Sequence, residues 1–417
     1  MPLLQSLYIC YLSLEDPLVD SQVVAYLEGL AQSGHTIHLL TFETQPLTRA
    51  RRRALRSAMR SRGLYWHGLR YHHRLSLAAT AFDVLCGTLA CIWLVRRHGL
   101  EAVHARNHVP AAMAMLAAPF APHRLIFDVR GLMAEEYVDA GRWRNGGVAF
   151  RVTKWVERAG LRRAVGTVVL TQRVRQVLFA EEDRPDVFVI PCCADVERIA
   201  AGRGNRQQAR AALGLGTAPV MVYLGKFGGW YMDAEMSDFF AVARDAMPGL
   251  HFLVITQADG SAIERQFARR AIDPTEYTVT RVEHARIGEM LGAGDIAIAL
   301  IEPTLSKVAS SPTKIGECLA DGLPVLATDV GDVKDLLDGS RAGLVLEEFS
   351  ERAYRAAARA LADLLGHEET SDRCIALAQR QLSLSEIGLP RYRTLYRFVA
   401  EHGGAHRTAS SGASSRR

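Results

Sequence analysis

The chain lacks the features that mark secreted, disulfide-stapled or zinc-built proteins. Its seven cysteines contain no CxxC pair, and Cys192 and Cys193 are neighbours, so neither a disulfide framework nor a zinc site is suggested and a reducing cytoplasm fits. The first residues, MPLLQSLYICYLSLED, carry no basic stretch ahead of their apolar run, which argues against a signal peptide. Long apolar runs are almost absent too. The one of near-membrane length, ATAFDVLCGTLACIWLV from Ala79 to Val95, is short and holds Asp83, so a buried core helix is expected there rather than a membrane span. No nucleic-acid recognition motif accompanies the basic residues, no DxD-type metal motif occurs, and no repeat is visible beyond two similar halves.

What is present describes a soluble globular protein, 49% hydrophobic and 23% charged. At 417 residues it exceeds what a single core serves, so two domains are expected. The net charge of +5 is uneven: residues 1–200 hold 25 Lys and Arg against 18 Asp and Glu, and the remainder is slightly acidic. The first half is therefore the side to meet an acidic partner. Its arginine runs, RARRRALRSAMRSRG and GRWRNGG followed by RVTKWVERAGLRRA, suit an anionic inner-membrane surface or are merely solvated faces.

Strand-like and helix-like stretches alternate throughout, the pattern of parallel sheets covered by helices on both faces. SLYICYL, TIHLLTF, LYWHGLRY, AVHAR, LIFDV, TVVLT and DVFVIP read as strands in the first half. VMVYLG, HFLVIT, YTVTRV, IAIALI, PVLAT and AGLVLEE do so in the second. Between them DVERIAAGRGNRQQARAALGLG looks like a linker and a short helix. The expected organisation is two doubly wound α/β domains, 1–200 and 201–385, a last helix over 386–402 packing back on the first domain, and a low-complexity tail, 403–417, of disordered composition.

In such sheets ligands bind beyond the carboxyl ends of strands. VMVYLGKFGGWYMDAEM is one such end, where Gly225, Phe227 and Gly228 flank Lys226 in a loop that is either a phosphate cradle or a flexible turn. SSPTKIGECLADGLPVLATDVGDV is another. Ser311 is a good N-cap, Pro312 suits the first helical position and Gly322 ends the helix, so a helix over about 312–321 is expected. Its start, from Ser310 through Ser311, Pro312 and Thr313, favours an anion, and Lys314 adds a full charge. Glu317, one turn on, is either an acceptor for two vicinal ribose hydroxyls or the i,i+3 surface partner of Lys314.

The order of these blocks resembles the nucleotide-sugar half of GT-B glycosyltransferases of the family-4 retaining type. DPLVDSQVVAYLEGLAQSGHTIHLLTFE, HARNHVPA and FDVRGLMAEEYVDAGRW resemble the acceptor half of bacterial polysaccharide members. The resemblance implies two Rossmann-like domains with a deep cleft between them and a C-terminal crossover helix. It implies a nucleoside-diphosphate sugar as co-substrate, no other cofactor, no metal, and a glycan or lipid-linked acceptor. Carried over, catalytic roles fall on Lys226, Lys314 and Glu317, and donor contacts on Gly225, Phe227, Gly228, Arg281 and Ser310 to Thr313. The family's paired-glutamate motif has another Glu eight residues before the ribose ligand; here that position is Ala309. This departure motivates a rival expectation, a non-catalytic nucleotide- or glycan-binding subunit.

On the acceptor side, FDVRG ends a strand, so Asp128 and Arg130 should emerge there with Glu136 nearby, to bind a sugar or to brace the loop. His108 is a further acceptor candidate or a structural histidine. Asp16 and Ser21, in the first strand-helix loop, are acceptor candidates or helix caps.

Overall fold

The computed structural model describes residues 3–72, 77–180, 183–203, 206–282 and 286–402. The chain divides into two compact units, one formed by the residues up to Ile190 and again from Gly388, the other by Pro191–Ile387. The boundary lies ahead of the expected residue 200, because the supposed linker is helical. Helices Val196–Arg203 and Arg206–Ala212 bury Val196, Ile199 and Arg210 inside the second unit. The expected tail, 403–417, lies outside the described residues.

The first unit is built on seven parallel strands: β1 (Gln5–Cys10), β2 (Thr36–Glu43), β3 (Leu64–Arg70), β4 (Ala102–Arg106), β5 (Arg124–Val129), β6 (Gly166–Val169) and β7 (Val187–Val189). Their order is β3-β2-β1-β4-β5-β6-β7. The chain winds outward from β1 in one direction, then returns to β4 and winds in the other, so the switch point lies between β1 and β4. The inner strands are buried along nearly their whole length because helices cover both faces.

The helix Leu389–His402 seals this unit, burying Tyr392, Leu395, Tyr396 and Val399. Two glycines make room for it: a Cβ at Gly29 would come within 2.4 Å of Leu389, and one at Gly166 within 2.6 Å of Leu395. Arg391 Nη1 donates to the Val189 carbonyl at 2.7 Å.

The apolar run of residues 79–95 belongs to a longer helix, Leu77–His98, that is buried over only about a third of its length. The expectation of a core helix holds for its inner side, where Asp83, Cys91, Leu94 and Val95 are buried. It fails on the outer side, where Phe82, Leu85, Leu89 and Trp93 stand exposed. The helix has the sheet and the helix His108–Ala117 for neighbours, and nothing among the described residues covers its outer stripe.

The second unit has six parallel strands: β8 (Val220–Leu224), β9 (His251–Ile255), β10 (Tyr277–Thr280), β11 (Ile296–Ala299), β12 (Val325–Ala327) and β13 (Gly343–Val345), in the order β10-β9-β8-β11-β12-β13. Alternate residues feed two cores. Val222, Leu253, Ala297 and Val325 pack on one face, and Met221, Phe252, Ile298 and Leu326 on the other. Here the direction of winding reverses between β8 and β11.

Candidate functional site

At the carboxyl edge of the second sheet, the loops that leave β8 and β11 flank the switch point. They are stitched together: Met232 N–H donates to Leu300 O at 3.1 Å, and Glu302 N–H to Trp230 O at 3.0 Å. Gly225, Gly228 and Gly229 all take positive φ, of 128°, 86° and 76°, which allows the β8 loop its sharp path. The missing side chain at Gly225 serves a second purpose, since a Cβ there would lie 2.7 Å from Lys314 Nζ.

Lys314 lies in the helix Thr313–Ala320, one residue shorter at each end than expected. Pro312, not Ser311, occupies the cap position, and no side chain caps the helix. The Ser311 hydroxyl is instead the acceptor for Cys192 N–H at 3.0 Å. Ser310 N–H donates to Lys307 O at 3.0 Å. The helix therefore begins without a side-chain acceptor for its first N–H groups.

Lys314 and Glu317, with Asp321 on the same stripe of the helix, are all buried, at 9%, 7% and 2% exposure. The surface-pair reading of Lys314 and Glu317 therefore fails. The helix is wedged between the sheet and the helices Val196–Arg203 and Thr370–Leu382, so its polar stripe also faces protein. Lys314 Nζ donates to Tyr223 OH at 3.3 Å and lies 3.7 Å from the ring centre of Tyr231 and 4.6 Å from that of Tyr223. Among the described residues no carboxylate bonds it. Burial pushes its ammonium down to about 7, against weaker support from Cys318 and Glu317.

Among the described residues no donor reaches the Glu317 carboxylate either. Burial raises its pKa, opposed by the charges of Arg198 and Lys314. One helix thus buries a cation without a bonded counter-ion and, one turn on, a carboxylate without a donor. A ligand that presents negative charge to the first and hydroxyl groups to the second would satisfy both.

Lys226 and Phe227 part company with this cluster. The Lys226 side chain is exposed, and its carbonyl accepts from Tyr223 OH at 2.5 Å. Phe227, expected to touch the donor, packs edge-on against Tyr223 and Phe267, because the sharp loop turns it into the core. Arg281 is exposed at the end of β10, an edge strand two places from β8. Sequence reasoning missed Tyr223 and Tyr231, and also Lys307, buried with its Nζ 3.9 Å from the ring centre of Trp230. The signal was the aromatic density of YLGKFGGWY.

In the first unit the structural alternatives prevail at most acceptor candidates. Asp128 is fully buried, with Arg130 at 3.6 Å, His104 at 3.7 Å and Arg106 at 3.9 Å, and accepts from Tyr392 OH at 3.3 Å. Burial alone would raise its carboxyl, but Arg130, His104 and Arg106 hold it down at about 2. Asp128 and Arg130 thus brace the interior, because the β5 end is roofed by the helix Leu389–His402. His108 is buried between Asn107 Oδ1 at 2.6 Å and Glu157 at 3.1 Å. Asp16 caps its helix by accepting from Leu18 N–H at 2.9 Å, and Ser21 Oγ donates to Pro17 O at 3.2 Å. Glu136 is half-buried with its carboxylate against Gly131, where a Cβ would come within 2.6 Å.

A different group gathers near the carboxyl ends of β1 and β3. Asp83, fully buried, accepts from Tyr11 OH at 2.6 Å, from His72 N–H at 3.2 Å and from His72 Nδ1 at 2.5 Å. A carboxylate only accepts, so His72 Nδ1 bears a proton and donates to it. The His72 side chain is 38% exposed. The signal was Asp83 itself, a lone acid in an apolar helix that needs buried partners.

Two parallel, doubly wound units, with the chain's last described helix returned to the first, make this the GT-B fold of glycosyltransferases. Residues 19–198 match the model of the family described as Glycosyltransferase Family 4. It is 23% identical over 249 residues to the alpha-D-kanosaminyltransferase of Streptomyces kanamyceticus, a match covering 57% of this chain and 61% of that one. The chain thus spans less than two thirds of that curated relative. Among solved structures, a glycosyltransferase from Rickettsia africae ESF-5 superposes with a TM-score of 0.73 at 13% identity, over 96% of this chain and 100% of that one. The Anabaena protein HepE, solved in complex with UDP-glucose, gives 0.69 at 13% identity, over 94% and 100%.

Proposed function

We propose that the protein is a glycosyltransferase that moves a hexose-type sugar from a nucleoside diphosphate to a hydroxyl of a glycan or lipid-linked acceptor, with retention, in the synthesis of cell-envelope polysaccharide. One observation carries the reading: buried Lys314 without a bonded counter-ion and buried Glu317 without a donor, on one helix at the switch point of the second sheet. A diphosphate supplies the negative charge and a ribose the pair of hydroxyls. The nucleotide sugar bound by the Anabaena relative supports the same choice.

In this reading Lys314 and the uncapped helix start stabilise the departing diphosphate as charge builds on it. Glu317 holds the ribose, and the acceptor hydroxyl attacks the sugar from the face the diphosphate leaves. In the first unit, the partly exposed His72 ring, fixed by Asp83, is the candidate contact for an acceptor hydroxyl. The reaction needs no cofactor or metal of the protein's own. The protein works in the cytoplasm, peripheral on the anionic inner face of the membrane where lipid-linked acceptors are presented.

A panel of nucleotide sugars tests this by protection against unfolding and by turnover. A donor at 100 times its dissociation constant should add about 2.7 kcal/mol of stability. No protection by any nucleoside-diphosphate sugar would remove the reading. The rival, binding without turnover, draws on Ala309, which is 2% exposed in the turn Leu305–Ala309 and brings no carboxylate to the site. Transfer of sugar from a protecting donor decides between them.

The lowered Lys314 pKa supplies a second measurement. Near pH 8 the free protein holds Lys314 mostly neutral, since its pKa lies at about 7. A bound diphosphate raises that pKa again, so binding should take up close to one proton at pH 8, and affinity should fall as pH rises from 7 towards 10. Calorimetry in buffers of different ionisation heat reads the uptake. Uptake that persists in Lys314→Gln would assign the proton elsewhere.

A further inference from the structure

Nine of the fifteen large apolar side chains exposed among the described residues belong to one face of the first unit. The helix Leu77–His98 contributes Phe82, Leu85, Leu89 and Trp93, whose spacing of three, four and four makes a single outward stripe. The helix Val148–Arg163 adds Val148, Val152 and Trp155 at the same kind of spacing. Between them, the helix His108–Ala117 and the turn after it expose Leu116 and Phe120.

These helices connect β3 to β4, β4 to β5 and β5 to β6, all stepping the same way across the sheet. Right-handed crossovers therefore set them side by side on one face, and consecutive ones pack together. The helix Arg49–Ser61 connects β2 to β3 in the opposite direction and lies on the other face. The two arginine runs of the sequence thus cannot meet one flat surface together.

Charge singles out the partner. The three helices contain two acids, Asp83 and Glu157, both buried. Their exposed charges are arginines: Arg96 and Arg97 continue the stripe of Trp93, and Arg151, Arg158 and Arg162 flank that of Trp155. An apolar, tryptophan-bearing plane whose three helices expose arginines and no acid is the chemistry of the bilayer interface. A second copy of the chain would bring these arginines against one another.

We propose that this face docks on an anionic lipid bilayer, its apolar stripe entering the interface and its arginines meeting lipid phosphates. The proposal deepens the reading of a membrane-peripheral transferase by naming the face. The helix Leu77–His98 lies along the membrane rather than across it, because Asp83 is tied to Tyr11 and His72 and Cys91, Leu94 and Val95 belong to the unit's core.

Flotation of the full chain with phosphatidylcholine vesicles, with and without phosphatidylglycerol, tests it. The parent should bind the anionic vesicles, and brominated lipid should quench its tryptophan fluorescence. Leu85→Gln/Leu89→Gln/Trp93→Gln should weaken binding tenfold or more at any salt concentration. Arg96→Gln/Arg97→Gln should weaken it only on anionic vesicles, as added salt does to the parent. Arg53→Gln/Arg56→Gln, on the opposite face, should bind like the parent. A parent that ignores vesicles, or a triple variant that binds as the parent does, overturns the proposal. So does a concentration-dependent dimer in sedimentation that Trp93→Gln abolishes. Vesicle binding without turnover of any nucleotide sugar would leave this face standing and remove the transferase reading; turnover on a soluble acceptor without vesicle binding would do the reverse.

Discussion

Lys314→Ala should lose about 100-fold or more in turnover at saturating donor while the fold survives. The charge on the diphosphate grows as the bond to the sugar breaks, so a buried cation beside it stabilises the transition state more than the ground state. The site strengthens that effect, because Lys314 is buried with two tyrosine rings and Gly225 against its ammonium, where charges are screened less than in water. The competing idea is that Lys314 is a packing residue for Tyr223 and Tyr231. Lys314→Met separates the two, since it keeps most of the apolar stem and loses the charge. If packing were the whole role, Lys314→Met would turn over like the parent; if charge is the role, it should fail as Lys314→Ala does. Lys226→Ala should cost far less, because that ammonium lies in solvent.

Glu317→Gln should weaken donor binding by roughly 1.5 to 3 kcal/mol, the worth of hydrogen bonds to a charged acceptor. The same change should leave the free protein as stable or more so. A buried carboxylate without a donor costs desolvation energy that a neutral amide of the same shape largely avoids. Opposite signs for stability and binding are the mark of a residue kept for a ligand. Titration calorimetry and thermal melts on one preparation read both, and a variant that melts lower yet binds the donor normally would return Glu317 to a structural role.

The alternation of apolar strands and amphipathic helices is a local property, and it carried the fold far. The thirteen strands among the described residues were legible because nearly all are short runs of β-branched and large apolar residues, with AVHAR as the exception. Boundaries were less so. The stretch 196–212 is rich in Arg, Gln and Gly and reads as a linker, yet it is helical, because Val196 and Ile199 find a core that sequence spacing does not reveal.

The candidate site divides in the same way. Which helix bears the charges, that Lys314 and Glu317 share a side of it, and that glycines line the loop after β8 follow from the sequence, because helical spacing and backbone conformation are set within a few residues. Whether that side meets water does not. Burial depends on what lies opposite, and only the folded chain brings Tyr223, Tyr231 and Gly225 against Lys314 and roofs Asp128 with Tyr392. The apolar run of residues 79–95 shows the same limit in reverse: its composition calls for burial, but the fold supplies neighbours for one side only. Periodicity thus determined the elements and their succession along the chain, and tertiary contact decided the order of strands in each sheet, which faces are interior, which charges are buried, and which apolar stripe is left to face outward.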